Sequence, residues 1–167
     1  MATSFEKRRD TLAAVREAVE DFFKQDEAKY QPFNERSVAS ATYAVRAKIG
    51  KATVFFHAYK DKLVVKLLLP IKAEESDRAN VGEYLHRANY GLMIGNFDFD
   101  FTDGEISYRV PIYCGKDDFA PPTYEQIDFA VLIGLAMISK YGDGLLKVIL
   151  GVATPEEAVD AAEADDD

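Results

Sequence analysis

The sequence predicts an antiparallel α+β domain with its elements in the order α-βββ-α-ββ-α-(α). Three observations carry that expectation. Strand-like alternation of apolar and polar residues falls in two blocks, residues 39–69 and 97–112. Apolar residues at helical spacing precede, separate and follow those blocks. Within each block the turns are too short for a crossover, so neighbouring strands must run antiparallel.

The first helix opens at Thr3-Ser4-Phe5-Glu6, which has capping-box spacing, and runs to about Asp26. Its apolar face is Phe5, Leu12, Val15, Val19 and Phe22. After a loop containing Pro32 and Asn34, the residues Ala39, Ala41, Tyr43, Val45 and Ala47 share one parity and predict a half-buried strand. Gly50 turns the chain into a strand over 53–59, and Lys60-Asp61 turns it into another over 63–69, which Pro70 should end. A second helix follows over 76–90, with Val81, Tyr84, Leu85 and Ala88 on one side.

The clearest local signal is GNFDFDFTDGEISYRVPIYC. Phe97, Phe99 and Phe101 alternate with acids, Asp103-Gly104 supplies the turn, and Ile106, Tyr108, Val110 and Ile112 alternate back. Asp-Gly between alternating runs is a strong hairpin signature. A two-residue turn would set Phe101 opposite Ile106, Phe99 opposite Tyr108 and Phe97 opposite Val110. All the large apolar residues would then share one face. The last long helix begins at a second capping box, Thr123-x-x-Gln126, and should bend or break at Gly142-Asp143-Gly144. Thr154-Pro155 starts a short final helix.

With 167 residues, 48% of them apolar, the chain can build one proper core. Residues 1–158 are expected to form that single domain, with 159–167 as an acidic, disordered tail. Charge location matters more than its total. Of the net −9, seven acids and no base fall in residues 151–167, which leaves −2 for residues 1–150. A nearly balanced domain lacks the basic footprint that nucleic acid requires, so no nucleic-acid partner is expected. The longest apolar run, residues 129–138, falls short of the roughly 18 residues of a membrane span, so no membrane association is expected either. The sequence begins MATSFEKRRD without a leader-like apolar stretch, and one cysteine excludes an internal disulfide. Both point to the cytoplasm.

No residue set predicts catalysis, a metal or a cofactor. Asp98, Asp100, Asp103 and Glu105 invite a calcium reading, but the spacing fails, because the glycine is displaced and Arg109 occupies the twelfth position. Solvent-face pairing across the hairpin, with Asp98 against Arg109 and Asp100 against Ser107, accounts for these residues better. Cys114 has core-face parity, which predicts a small buried hydrophobe. His57 and His86 sit alone on different elements and form no i, i+4 pair.

The last long helix is apolar nearly all round between residues 129 and 138. Two readings stand level: a central helix covered on both sides, or a helix with one side on the sheet and the other on a second chain. The second reading makes Phe129, Leu132, Ile133, Ala136 and Met137 the candidate interaction surface.

The Asn89 region, the GNFDFDFTDGEISYR stretch and the ending LLKVILG…TPEEA together resemble the YbjN-like family, over about residues 37–159. That resemblance implies a type III secretion chaperone-like fold and a non-enzymatic, often dimeric protein described as a bacterial sensory-transduction regulator. It supplies no catalytic residues. The expected function is therefore a protein–protein interaction module, a homodimer that binds an unidentified protein or peptide. The alternative is a small hydrophobic ligand held in a cavity between the sheet and the last long helix.

Overall fold

A computed structural model describes residues 10–164 of the chain. A five-stranded antiparallel sheet of order β1-β2-β3-β5-β4 carries four helices on one face. The strands are β1 (Val38–Ala44), β2 (Lys51–Ala58), β3 (Lys62–Lys72), β4 (Asn96–Phe99) and β5 (Glu105–Tyr113). The helices are α1 (Thr11–Gln25), α2 (Arg78–Asn89), α3 (Tyr124–Ile149) and α4 (Pro155–Glu163). This is the expected element order and fold class. Alternate residues such as Val54, Phe56, Val65, Leu67, Ile106 and Tyr108 are buried beneath the helices. Those of opposite parity are mostly half-buried and lie on the other face, away from the described helices.

Several boundaries differ from expectation, each for a local reason. The Thr3–Glu6 capping box lies outside the described residues, whereas the described helix starts seven residues later, where Asp10 accepts a hydrogen bond from the Ala13 amide (3.2 Å). β1 ends at Ala44, although alternation continues to Ala47. Beyond it the chain is held by α3 instead of by a strand: the Arg46 amide donates to Ser139 Oγ (3.2 Å) and the Lys48 amide to Asp143 Oδ1 (2.7 Å). Pro70 does not end β3. The ladder to β5 shifts register between Leu68 and Lys72, so the missing proline N–H falls where pairing is already irregular.

The hairpin register is offset by two residues from the predicted one. Phe97 faces Tyr108 and Phe99 faces Ile106. A four-residue loop, residues 101–104, replaces the two-residue turn, closed by Asp100 N–H to Glu105 O (3.0 Å) and Gly104 N–H to Asp100 O (2.8 Å). Asp100 Oδ1 also accepts from the Thr102 amide (2.7 Å), an Asx turn that starts the loop early. Gly104, at φ +78°, lies so close to β3 that an added Cβ would sit 2.0 Å from the Ala73 carbonyl oxygen. Phe101 therefore leaves the core face and is 60% exposed. A shift of two preserves parity, so Asp98 still reaches Arg109, diagonally, in a 2.9 Å ion pair.

α3 does not break at its glycines. It is continuous over 26 residues, and Gly142 and Gly144 serve close packing. A Cβ on Gly142 would lie 2.8 Å from that of Ala47, and one on Gly144 would lie 2.5 Å from the Tyr84 hydroxyl. That hydroxyl is buried and donates to the Tyr141 carbonyl (2.6 Å). Nor does order stop at Ala158. α4 continues to Glu163, Val159 is buried, and the Tyr141 hydroxyl donates to Glu163 Oε1 (2.8 Å). The expected tail beginning at residue 159 thus starts inside a packed helix.

Two measurements test this packing. Gly144→Ala gains helix propensity of up to about 1 kcal/mol but forces a methyl against the Tyr84 oxygen. Overpacking should win, with a net loss of about 1–2 kcal/mol in chemical denaturation. Truncation after Ala158 should lower the melting temperature by several degrees, since it removes the buried Val159 and the Glu163 acceptor.

Candidate interaction surface

α3 buries Ile127, Ala130, Val131, Gly134, Ile138, Tyr141 and Leu145 against the sheet and its neighbouring helices. A helix of 3.6 residues per turn then directs positions 129, 132, 133, 136 and 137 the other way. Phe129 is 51% and Leu132 55% exposed, Ala136 is exposed, and Ile133 and Met137 are half-buried. The structure therefore brings all five predicted surface residues onto one outward face. By length and composition α3 could also cross a membrane, with a mean hydropathy of 1.4 over its best window, but here it is the helix that closes the core.

Sequence reasoning missed the second half of this surface. The connection from α2 to β4 runs Tyr90-Gly91-Leu92-Met93-Ile94-Gly95, and Tyr90 (97%) and Met93 (95%) are almost fully exposed. Leu92, Met93 and Ile94 face Ile133 and Met137 across an open groove of about 510 Å³, whose far end holds Lys140, Tyr141 and Glu163. The signal was available: four apolar residues fill a connection where polar turn residues are usual. The loop is fastened at both ends. Tyr108 donates its hydroxyl proton to the Ile94 carbonyl. At the other end the Asn89 amide makes two bonds to the backbone of one β4 residue, Nδ2–H to Phe97 O (2.9 Å) and Phe97 N–H to Oδ1 (2.7 Å).

The hairpin acids each have a partner. Asp98 pairs with Arg109, Glu105 with Lys66 at 2.6 Å, and Asp103 with Lys72. The Lys72 ammonium and the Glu105 backbone amide hold the Asp103 carboxyl below its ordinary range. Asp100 is engaged by the Thr102 amide. Among the described residues no cluster of three or more His, Cys, Asp or Glu side chains could share a metal ion. Cys114 is buried, and burial pushes its thiol pKa up, the direction opposite to an activated nucleophile. His57 is half-buried on β2, where burial and then the Lys66 charge lower its pKa; His86 is exposed on α2. Between α3 and the sheet, Leu69, Tyr84, Phe97, Ile138 and Leu145 pack with no room for a water-sized molecule. The cavity required by the small-ligand alternative is filled by side chains at that point.

A family model described as "Putative bacterial sensory transduction regulator" matches residues 15–147, most of the chain. The chain belongs to the YbjN family. The crystal structure titled "YbjN, a putative transcription regulator from E. coli" superposes with a TM-score of 0.53 at 10% identity, covering 81% of this chain and 89% of that one. At that identity the YbjN match establishes the shared fold alone. The structure titled "Crystal Structure of the ExsC-ExsE Complex" gives a TM-score of 0.49 at 15% identity, covering 80% of this chain and 94% of that one. No curated protein matches the sequence.

The charge pairing on the hairpin sets an expectation. Asp98→Ala should cost at most about 1 kcal/mol, the range for exposed ion pairs. Added calcium should leave the melting temperature of both proteins unchanged. A calcium-dependent rise that disappears in the variant would restore the metal reading.

Proposed function

We propose that this YbjN-family protein is a non-enzymatic interaction module of the cytoplasm, working through the outward face of α3 and the apolar loop beside it. The observation that carries this reading is the continuity of Phe129, Leu132, Ile133 and Met137 with Leu92, Met93 and Ile94. Contiguous apolar surface beyond a few hundred Å² is uncommon on a monomer and marks an interface. Methionines at two positions of the groove, Met93 and Met137, suit a surface that adapts to what it binds. A protein or peptide is the fitting occupant, because the groove is open and shallow and offers little for a small molecule to be enclosed by. The first such occupant is a second copy of the chain, since twofold pairing is the commonest way to cover a patch of this kind. The lone thiol, Cys114, is compatible with a reducing compartment.

Light scattering at micromolar concentration should report about twice the monomer mass. Leu132→Glu, a substitution at an exposed position, should return the protein to monomer without lowering its melting temperature. A wild-type protein that is monomeric and fully folded would overturn the homodimer.

A further inference from the structure

Two of the chain's three methionines, Met93 and Met137, line the same groove; Met1 lies outside the described residues. Their exposures differ. Met93 stands 95% exposed on the loop between α2 and β4, whereas Met137 is half-buried on α3 and packs against the core. The only thiol is withdrawn from reaction. Cys114 is 6% exposed, and burial raises its pKa, which keeps the reactive thiolate scarce. A thioether needs no deprotonation to be oxidised, so access decides between the described sulfurs, and Met93 has the most.

We propose that Met93 is a modification site, whose conversion to the sulfoxide by a hydroperoxide weakens association through the groove. The proposal rests on the homodimer reading above and adds a means of regulating it. The sulfur lone pair attacks one oxygen of hydrogen peroxide. An S–O bond forms as the O–O bond breaks, and the departing hydroxide takes the proton of the transferred oxygen to leave as water. Sulfur loses two electrons and the peroxide gains them. The product is a polar, hydrogen-bond-accepting group where an apolar one stood. Leu92, Ile94, Ile133 and Met137, which line the groove with it, have side chains with no donor to offer. Covering the new oxygen in an interface therefore carries the cost of an unpaired buried polar group. The fold itself is spared, because Met93 buries almost none of its surface in the core. Assembly protects the sulfur in turn. The oxidant meets it on the separated chain, so oxidation and dimerisation compete for one surface.

Hydrogen peroxide treatment tests this, with peptide mass mapping read beside sedimentation equilibrium and circular dichroism. Met93 should take up one oxygen well ahead of Met137, with Cys114 unmodified, and its rate should fall as protein concentration rises. The oxidised protein should keep its spectrum and dimerise roughly tenfold more weakly. Methionine sulfoxide reductase, supplied with a dithiol that becomes a disulfide as the oxygen leaves in water, should restore association. Met93→Leu, close in volume and without sulfur, should dimerise as the wild type does and keep its dissociation constant after the same treatment. Oxidation of Met137 or Cys114 ahead of Met93, or equal weakening of the treated Met93→Leu variant, would overturn the proposal and leave the homodimer standing. So would oxidation at Met93 that leaves the dissociation constant unchanged. A monomeric wild-type protein would overturn both.

Discussion

A helix of 26 residues lying across a single sheet can place only half of its circumference on it, and the organisation of this molecule follows from that constraint. The inner half of α3 is cut to fit. Gly142 admits Ala47, Gly144 admits the Tyr84 hydroxyl, and Gly134 lies so near Leu67 that an added Cβ would be 2.5 Å from its Cδ1. α1, α2 and α4 then pack against its flanks. None of them covers the stripe from Phe129 to Met137. The exposed apolar surface is what remains once the other half has been optimised for the core.

Much of the architecture was legible because alternation and helical spacing are local properties of a chain. The order of helices and strands, the antiparallel pairing and the outward placement of the five α3 residues all follow from periodicity. What escaped depends on neighbours distant in sequence. The hairpin register could not be read from parity, since an offset of two leaves every side chain that stays in the ladder on its predicted face and displaces only Phe101, which passes into the loop. Asp100 and the approach of Gly104 to Ala73 decided it. The two glycines of α3 resembled a break because their packing partners, Ala47 and Tyr84, are remote in the chain. Val159 resembled tail because its burial depends on α2 and α3, which one short helix cannot announce.

For the candidate surface, the helical half was readable from amphipathicity and the loop half was not. Leu92, Met93 and Ile94 show no period. Their significance arises only when α2 and β4 deliver them beside Ile133 and Met137. The family supplies a fold and a regulatory description. This chain adds an exposed apolar surface made by α3 and the loop beside it.

The double bond from Asn89 to Phe97 has a consequence for solubility. β4 is an outermost strand, and outermost strands expose backbone donors and acceptors that any extended chain can extend. A side-chain amide has the same donor and acceptor spacing as a peptide group, so Asn89 imitates one residue of a further strand and occupies the site where such a strand would begin. At the β4 margin the backbone of Phe97 is thus already paired within the chain, which removes one docking point for a strand from another molecule beside the exposed apolar face of α3.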